Sequence, residues 1–129
     1  MYSVDIQEQH IAGEDTNQNI DRTGRVCYHS QGYFGQGIKV AVIDTGIKEH
    51  DEFEDRILQG KNFTKDFNDS NNVTDIHSHG THCAGTIAGK NVGVAPQAEI
   101  LPIKVLGGTD GNGEWEDITS GVRYAIEQD

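Results

Sequence analysis

IKVAVID, residues 38–44, is the most continuously apolar run in the chain, and it stops on an aspartate. Its β-branched, nearly unbroken apolar build is that of a parallel strand buried on both faces. AEILPIKVLG (98–107) is a second such run, in which Pro102 predicts an edge position or a bulge. ILQGKNF (57–63) is a weaker third, followed by a polar loop over 64–76. HGTHCAGTIAG (79–89) is rich in small residues, which suits a helix packed closely on a sheet. Past the glycine-rich 107–113, EWEDITSGVRYAIEQ (114–128) carries Trp115, Ile118, Val122 and Ile126 at near-helical spacing and predicts an amphipathic helix. The alternation predicts an α/β fold: an open, mostly parallel sheet with helices on both faces. Residues 1–24, polar and without period, read as an extended or poorly ordered arm, and 25–129 as the folded portion.

Composition narrows the partners. Ten Lys+Arg against 21 Asp+Glu give a net charge of -11 with no basic cluster, which argues against nucleic acid and anionic membrane. No run has the length of a membrane helix, and MYSVDIQEQH at the N-terminus lacks the basic-then-apolar build of a secretory signal. The two cysteines, Cys27 and Cys83, make no disulfide framework, and the apolar helical setting of Cys83 predicts a buried free thiol. Three sequons begin at Asn62, Asn68 and Asn72.

In open parallel sheets functional groups collect beyond the carboxyl ends of the strands. Asp44 sits at such an end, before the sharp turn that Thr45-Gly46 demands. Capping that turn is one reading of the aspartate. The other is the acid of an acid–base pair, with His79 at a helix start as the imidazole it orients. A dinucleotide site is disfavoured, because the glycines of GYFGQG precede the strand instead of following it. A zinc site on His77, His79 and His82 lacks the usual spacing and the glutamate of HExxH, so no metal ligands are assigned.

VAVIDTGI, HSHGTHCAGTIAG, GVAP and IKVLGGTDGNGEW, in that order, resemble the N-terminal part of the subtilisin-like serine proteases over residues 29–129. The resemblance implies Asp44 as catalytic acid, His79 as base, and a peptide or protein substrate. It implies that Gly111, Asn112 and Gly113 present a strand edge to the substrate backbone, and that Leu106 and Trp115 shape apolar subsites. For Trp115, helix packing is the competing role. The short 85–94 segment leaves no room for the calcium loop of many bacterial subtilisins; structural calcium at a weaker site elsewhere is compatible with the resemblance, and the chemistry implied needs no cofactor. Cys83 after His82 is similar to the proteinase K branch. The family's serine-bearing segment, of GTSMA type, does not occur in these residues. The expectation is thus half an active site, completed by the serine of a whole enzyme or of a complementing chain. The family's usual location is secreted.

Overall fold

The computed structural model describes residues 20–129. Helix α1 spans Arg25–Ser30, strand β1 Lys39–Asp44, strand β2 Lys61–Asn62, helix α2 His79–Ala88, strand β3 Glu99–Lys104 and helix α3 Trp115–Glu127. The three strands form one parallel sheet in the order β1-β3-β2. β1 and β3 pair in register from Lys39↔Glu99 to Asp44↔Lys104, so the acid ends its strand level with a lysine.

The sheet has a helix on each face, and alternation within the strands divides the core in two. Val40, Val42 and Ile100 pack with Ala84 and Ala88 of α2 and with Phe53 and Val92. Ala41, Ile43, Leu101 and Ile103 pack with Ile118, Tyr124 and Ala125 of α3. β3, central among the described residues, is buried from Ile100 to Lys104. β1 is fully buried only at Val42, because its outer edge has no strand beside it among those residues. The two-sided burial expected of 38–44 therefore belongs to β3.

Pro102 lies in the central strand, not at an edge. Its missing N–H falls on the β2 side: Ile100 donates its N–H to Arg56 O and accepts from Leu58 N–H, and Lys104 O accepts from Phe63 N–H. In a parallel ladder alternate residues face the same neighbour, so the slot of Pro102 falls between those bonds. There the partner chain breaks at Gln59-Gly60, which is why the 57–63 strand shrinks to two residues. Gly60 comes so close that an added Cβ meets the Pro102 carbonyl oxygen at 1.6 Å.

Helix α3 forms as expected but turns a different face inward. Trp115 and Ile126 are 82% and 71% exposed. The packed face runs through Ile118, Gly121 and Ala125, and a Cβ on Gly121 meets Val105 Cγ1 at 2.4 Å. Glycine lets the helix sit down on the sheet. The expectation for the arm falls mostly on residues 1–19, outside the described residues. Ile20, within that segment, is only 2% exposed and joins the α2-side core. Helix α1, which no periodicity announces, lies on the surface, with His29 Nε2 at 2.9 Å from Val94 O. Cys27 and Cys83 are free thiols. Asn62 is buried, its side-chain amide donating to Asp66 O and Asp69 O, so this sequon is closed to glycosylation. No helix among the described residues is long and apolar enough to cross a membrane.

Candidate active site

β1 delivers Asp44 to the carboxyl edge of the sheet, and α2 begins on His79 immediately opposite. His79 Nδ1 lies 2.8 Å from both Asp44 carboxylate oxygens, and both side chains are part-buried. A carboxylate only accepts, so the Nδ1 proton is donated to Asp44 and the lone pair is left on Nε2. That tautomer is the one a general base needs.

Glycines bring the two elements together. Gly46 has φ +105, and a Cβ there meets Val73 O at 2.2 Å; a Cβ on Gly80 meets Gly46 O at 2.3 Å. Neither position accepts a side chain without moving backbone. Ser78, the residue before α2, holds φ +99, a left-handed conformation uncommon for a non-glycine residue.

The loop read only as polar contains the residue that stabilises this arrangement. Asp75 is fully buried, and its Oδ1 accepts from Thr45 Oγ1, His77 N–H and Ser78 N–H. Its Oδ2 accepts from Thr81 N–H and Thr81 Oγ1. Burial alone raises the Asp75 pKa, but these donors outweigh it and hold the carboxyl below its ordinary 3.8. A depressed folded-state value contributes stability above the unfolded pKa that is lost as pH falls through the folded one. The wild-type advantage over Asp75→Asn is therefore expected to be largest above about pH 4, about 1–3 kcal/mol, and to shrink on acidification. Urea midpoints of both proteins across pH check this; a difference constant with pH contradicts it.

Lys104 is a second buried charge, 0% exposed, at the end of β3. Its ammonium donates to Thr45 O at 2.8 Å and pairs with Asp66 Oδ2 at 3.1 Å. For Asp66, burial raises the pKa, but the Gly108 N–H and the Lys104 ammonium bring it below the ordinary value. Lys104 thus ties the turn after β1 to the glycine-rich loop after β3.

That loop is closed by Gly107 N–H donating to Asn112 O at 2.7 Å. His77, considered by sequence only as a zinc ligand, packs between it and the acid–base pair. Its ring is edge-on to His79 at 6.4 Å, and a Cβ on Gly111 meets His77 Cδ2 at 2.9 Å. Leu106 is half-buried and packs against Gly113. Asn112, Gly113 and Trp115 are exposed. Asp44, His79, His77, Gly111 and Leu106 share one end of the sheet, while Trp115 projects into solvent.

Among the described residues one cluster offers three metal-ligand atoms, Asp44, His79 and Cys83, all within 4.8 Å. Its geometry is poor for coordination. Cys83 Sγ is 3.8 Å from both ring nitrogens of His79, so it lies over the imidazole face and not along a ring lone pair. Burial, then the charges of Asp44 and Asp75, push the Cys83 thiol up to about 11, which keeps it protonated. Burial, with the charge of His79 second, lowers the pKa of His82.

After α2 the chain turns tightly. Gly93 N–H donates to Gly89 O, and Val94 and Ala95 N–H donate to Thr86 O and Ile87 O. Glu52 Oε2 accepts from both the backbone N–H and the side-chain amide of Asn91.

The comparisons agree with this geometry. The Subtilase family model matches residues 35–129. The chain is similar to the major intracellular serine protease of Bacillus subtilis, 45% identical over 106 residues, covering 77% of this chain and 33% of that protein. Subtilisin E of Bacillus subtilis is 39% identical over 130 aligned positions, 94% of this chain and 33% of the relative. A solved cold-adapted subtilisin-like serine proteinase superposes with a TM-score of 0.67 at 35% identity, covering 74% of this chain and 34% of that one. The chain spans about a third of the length of these relatives. An aspartate at a strand end facing a histidine at a helix start, inside a matching sequence and fold, shows that this chain belongs to the subtilase family.

Proposed function

We propose that these residues are the acid–base portion of a subtilase serine endopeptidase. The observation that carries the proposal is the 2.8 Å contact between His79 Nδ1 and Asp44. In the assembled site a serine, supplied from outside these 129 residues, attacks the peptide carbonyl. His79 Nε2 takes the hydroxyl proton and later gives it to the leaving amine. Asp44 keeps the Nδ1 tautomer and balances the imidazolium charge without taking the proton.

The loop over 107–113 serves as a wall of the substrate groove, with Gly111–Gly113 pairing to an extended peptide and Leu106 beneath it. No cofactor takes part. The calcium loop of many subtilisins has no counterpart at 89–93, a reading supported by the self-satisfied turn and by Asn91 donors on Glu52.

A second reading is a split half that acts only with a complementing chain. It is favoured by the edge of β1, which has no strand beside it among the described residues, and by the exposed apolar side chains of Trp115, Val122 and Ile126 on α3.

The test is peptide hydrolysis by the purified 129-residue chain, alone and mixed with the C-terminal remainder of the Bacillus subtilis relative. No turnover is expected from the chain alone, and turnover blocked by a serine-directed inhibitor from the mixture. Inhibitor-sensitive turnover by the pure chain alone means the nucleophile lies within these residues.

A further inference from the structure

Thr45 follows the acid and is 2% exposed. All its polar atoms are engaged, each with a different structural unit. Its N–H donates to Asp44 Oδ1 at 2.6 Å, and its carbonyl accepts from the Lys104 ammonium at 2.8 Å. Its hydroxyl donates to Asp75 Oδ1 at 2.8 Å and accepts from Gly80 N–H at 2.8 Å. The direction of this relay is fixed, since an ionised carboxylate can only accept and a backbone N–H can only donate.

The partners of that hydroxyl all belong to the base's side of the site. Asp75 grips the backbone N–H groups of His77, Ser78 and Thr81, on both sides of His79, and Gly80 follows His79 directly. α2 has no side-chain cap from Ser78, so Thr45 and Asp75 satisfy its first N–H groups instead. The Thr45 hydroxyl is thus a one-atom link between the segment that carries the acid and the segment that carries the base. Lys104 anchors the same residue from the central strand.

We infer that Thr45 is a positioning residue: its hydroxyl, held between Asp75 and Gly80, sets the Asp44–His79 distance. The inference rests on the acid–base reading above, but its test does not depend on hydrolysis. Valine keeps the shape of threonine and removes the hydroxyl, leaving Asp75 and Gly80 N–H each short of a buried partner. Serine keeps the hydroxyl and drops the methyl group.

The experiment is proton NMR of the full chain with labelled histidine, following the downfield Nδ1–H resonance of His79 while β3 amides report the fold. Wild type and Thr45→Ser are expected to show the resonance. Thr45→Val is expected to lose it through exchange at least ten-fold faster, with the β3 amides unchanged. If Thr45→Val does not fold, Thr45→Ala carries the same comparison. A folded Val or Ala variant that keeps the resonance overturns the inference, as does its loss in Thr45→Ser. Unfolding of both Val and Ala variants beside a folded Ser variant makes the hydroxyl a folding element and overturns positioning. Absence of the resonance from folded wild type overturns the pair itself. If the resonance behaves as expected but the mixture with the serine-bearing remainder cleaves no peptide, the protease reading fails and the positioning role stands.

Discussion

His79→Ala, in a complex that supplies the serine, is expected to lower kcat on the order of 10⁶-fold, and Asp44→Asn roughly 10⁴-fold. These magnitudes are those of subtilisin, to which this chain is kin, and the geometry explains their order. Without the imidazole nothing removes the serine proton. Without the carboxylate the base survives, but the tautomer and the imidazolium lose their support. The two residues act as one unit 2.8 Å apart, so the double variant should be no slower than His79→Ala alone. Single-turnover rates of the three variants check this. Multiplicative losses would mean that the two side chains work independently.

Gly60→Ala should destabilise the fold severely without touching the site. The added Cβ lies 1.6 Å from the carbonyl oxygen of Pro102 and 2.7 Å from its carbon. Both atoms are backbone of the central strand, so no rotamer relieves the contact. Ordinary overpacking costs about 1–3 kcal/mol; a collision with immovable backbone should exceed the top of that range. Against a total stability of about 5–15 kcal/mol, the loss is severe. Gly37→Ala is the comparison: a Cβ there meets nothing within 4 Å, and only its φ of +75 is unfavourable, at about 1 kcal/mol. Urea unfolding of both variants is the measurement. Equal midpoints would mean that the chain does not break opposite Pro102.

The placement of the candidate site was legible wherever it coincided with local pattern. Asp44 ends an apolar run and His79 opens a small-residue helix, so strand and helix signals alone place both. The residues that hold them in place left no such signal. Asp75 lies in a stretch whose polar composition says loop, and burial of a loop aspartate depends on donors that only the folded chain brings together. Thr45 reads as a turn residue and Lys104 as one polar position in an apolar strand; their partners lie 30 and 59 residues away in sequence. Hydrophobic periodicity also misjudged α3. It weighs Trp115 and Ile126 heavily and Gly121 not at all, yet the glycine marks the closest approach to the sheet. Pro102, whose place in the sequence predicts an edge position or a bulge, lies instead in the central strand. The interruption falls on the neighbouring chain, because the missing N–H faces β2 and not β1.

The central claim is that His79 activates a serine lying outside these residues. Its most direct measurement is mass spectrometry of the chain mixed with the serine-bearing remainder of the Bacillus subtilis relative and treated with a fluorophosphonate. Phosphonylation of one serine on the remainder is expected with the wild-type chain and none with His79→Ala. Equal labelling with both chains would mean that another group activates the serine, and the acid–base assignment would be wrong.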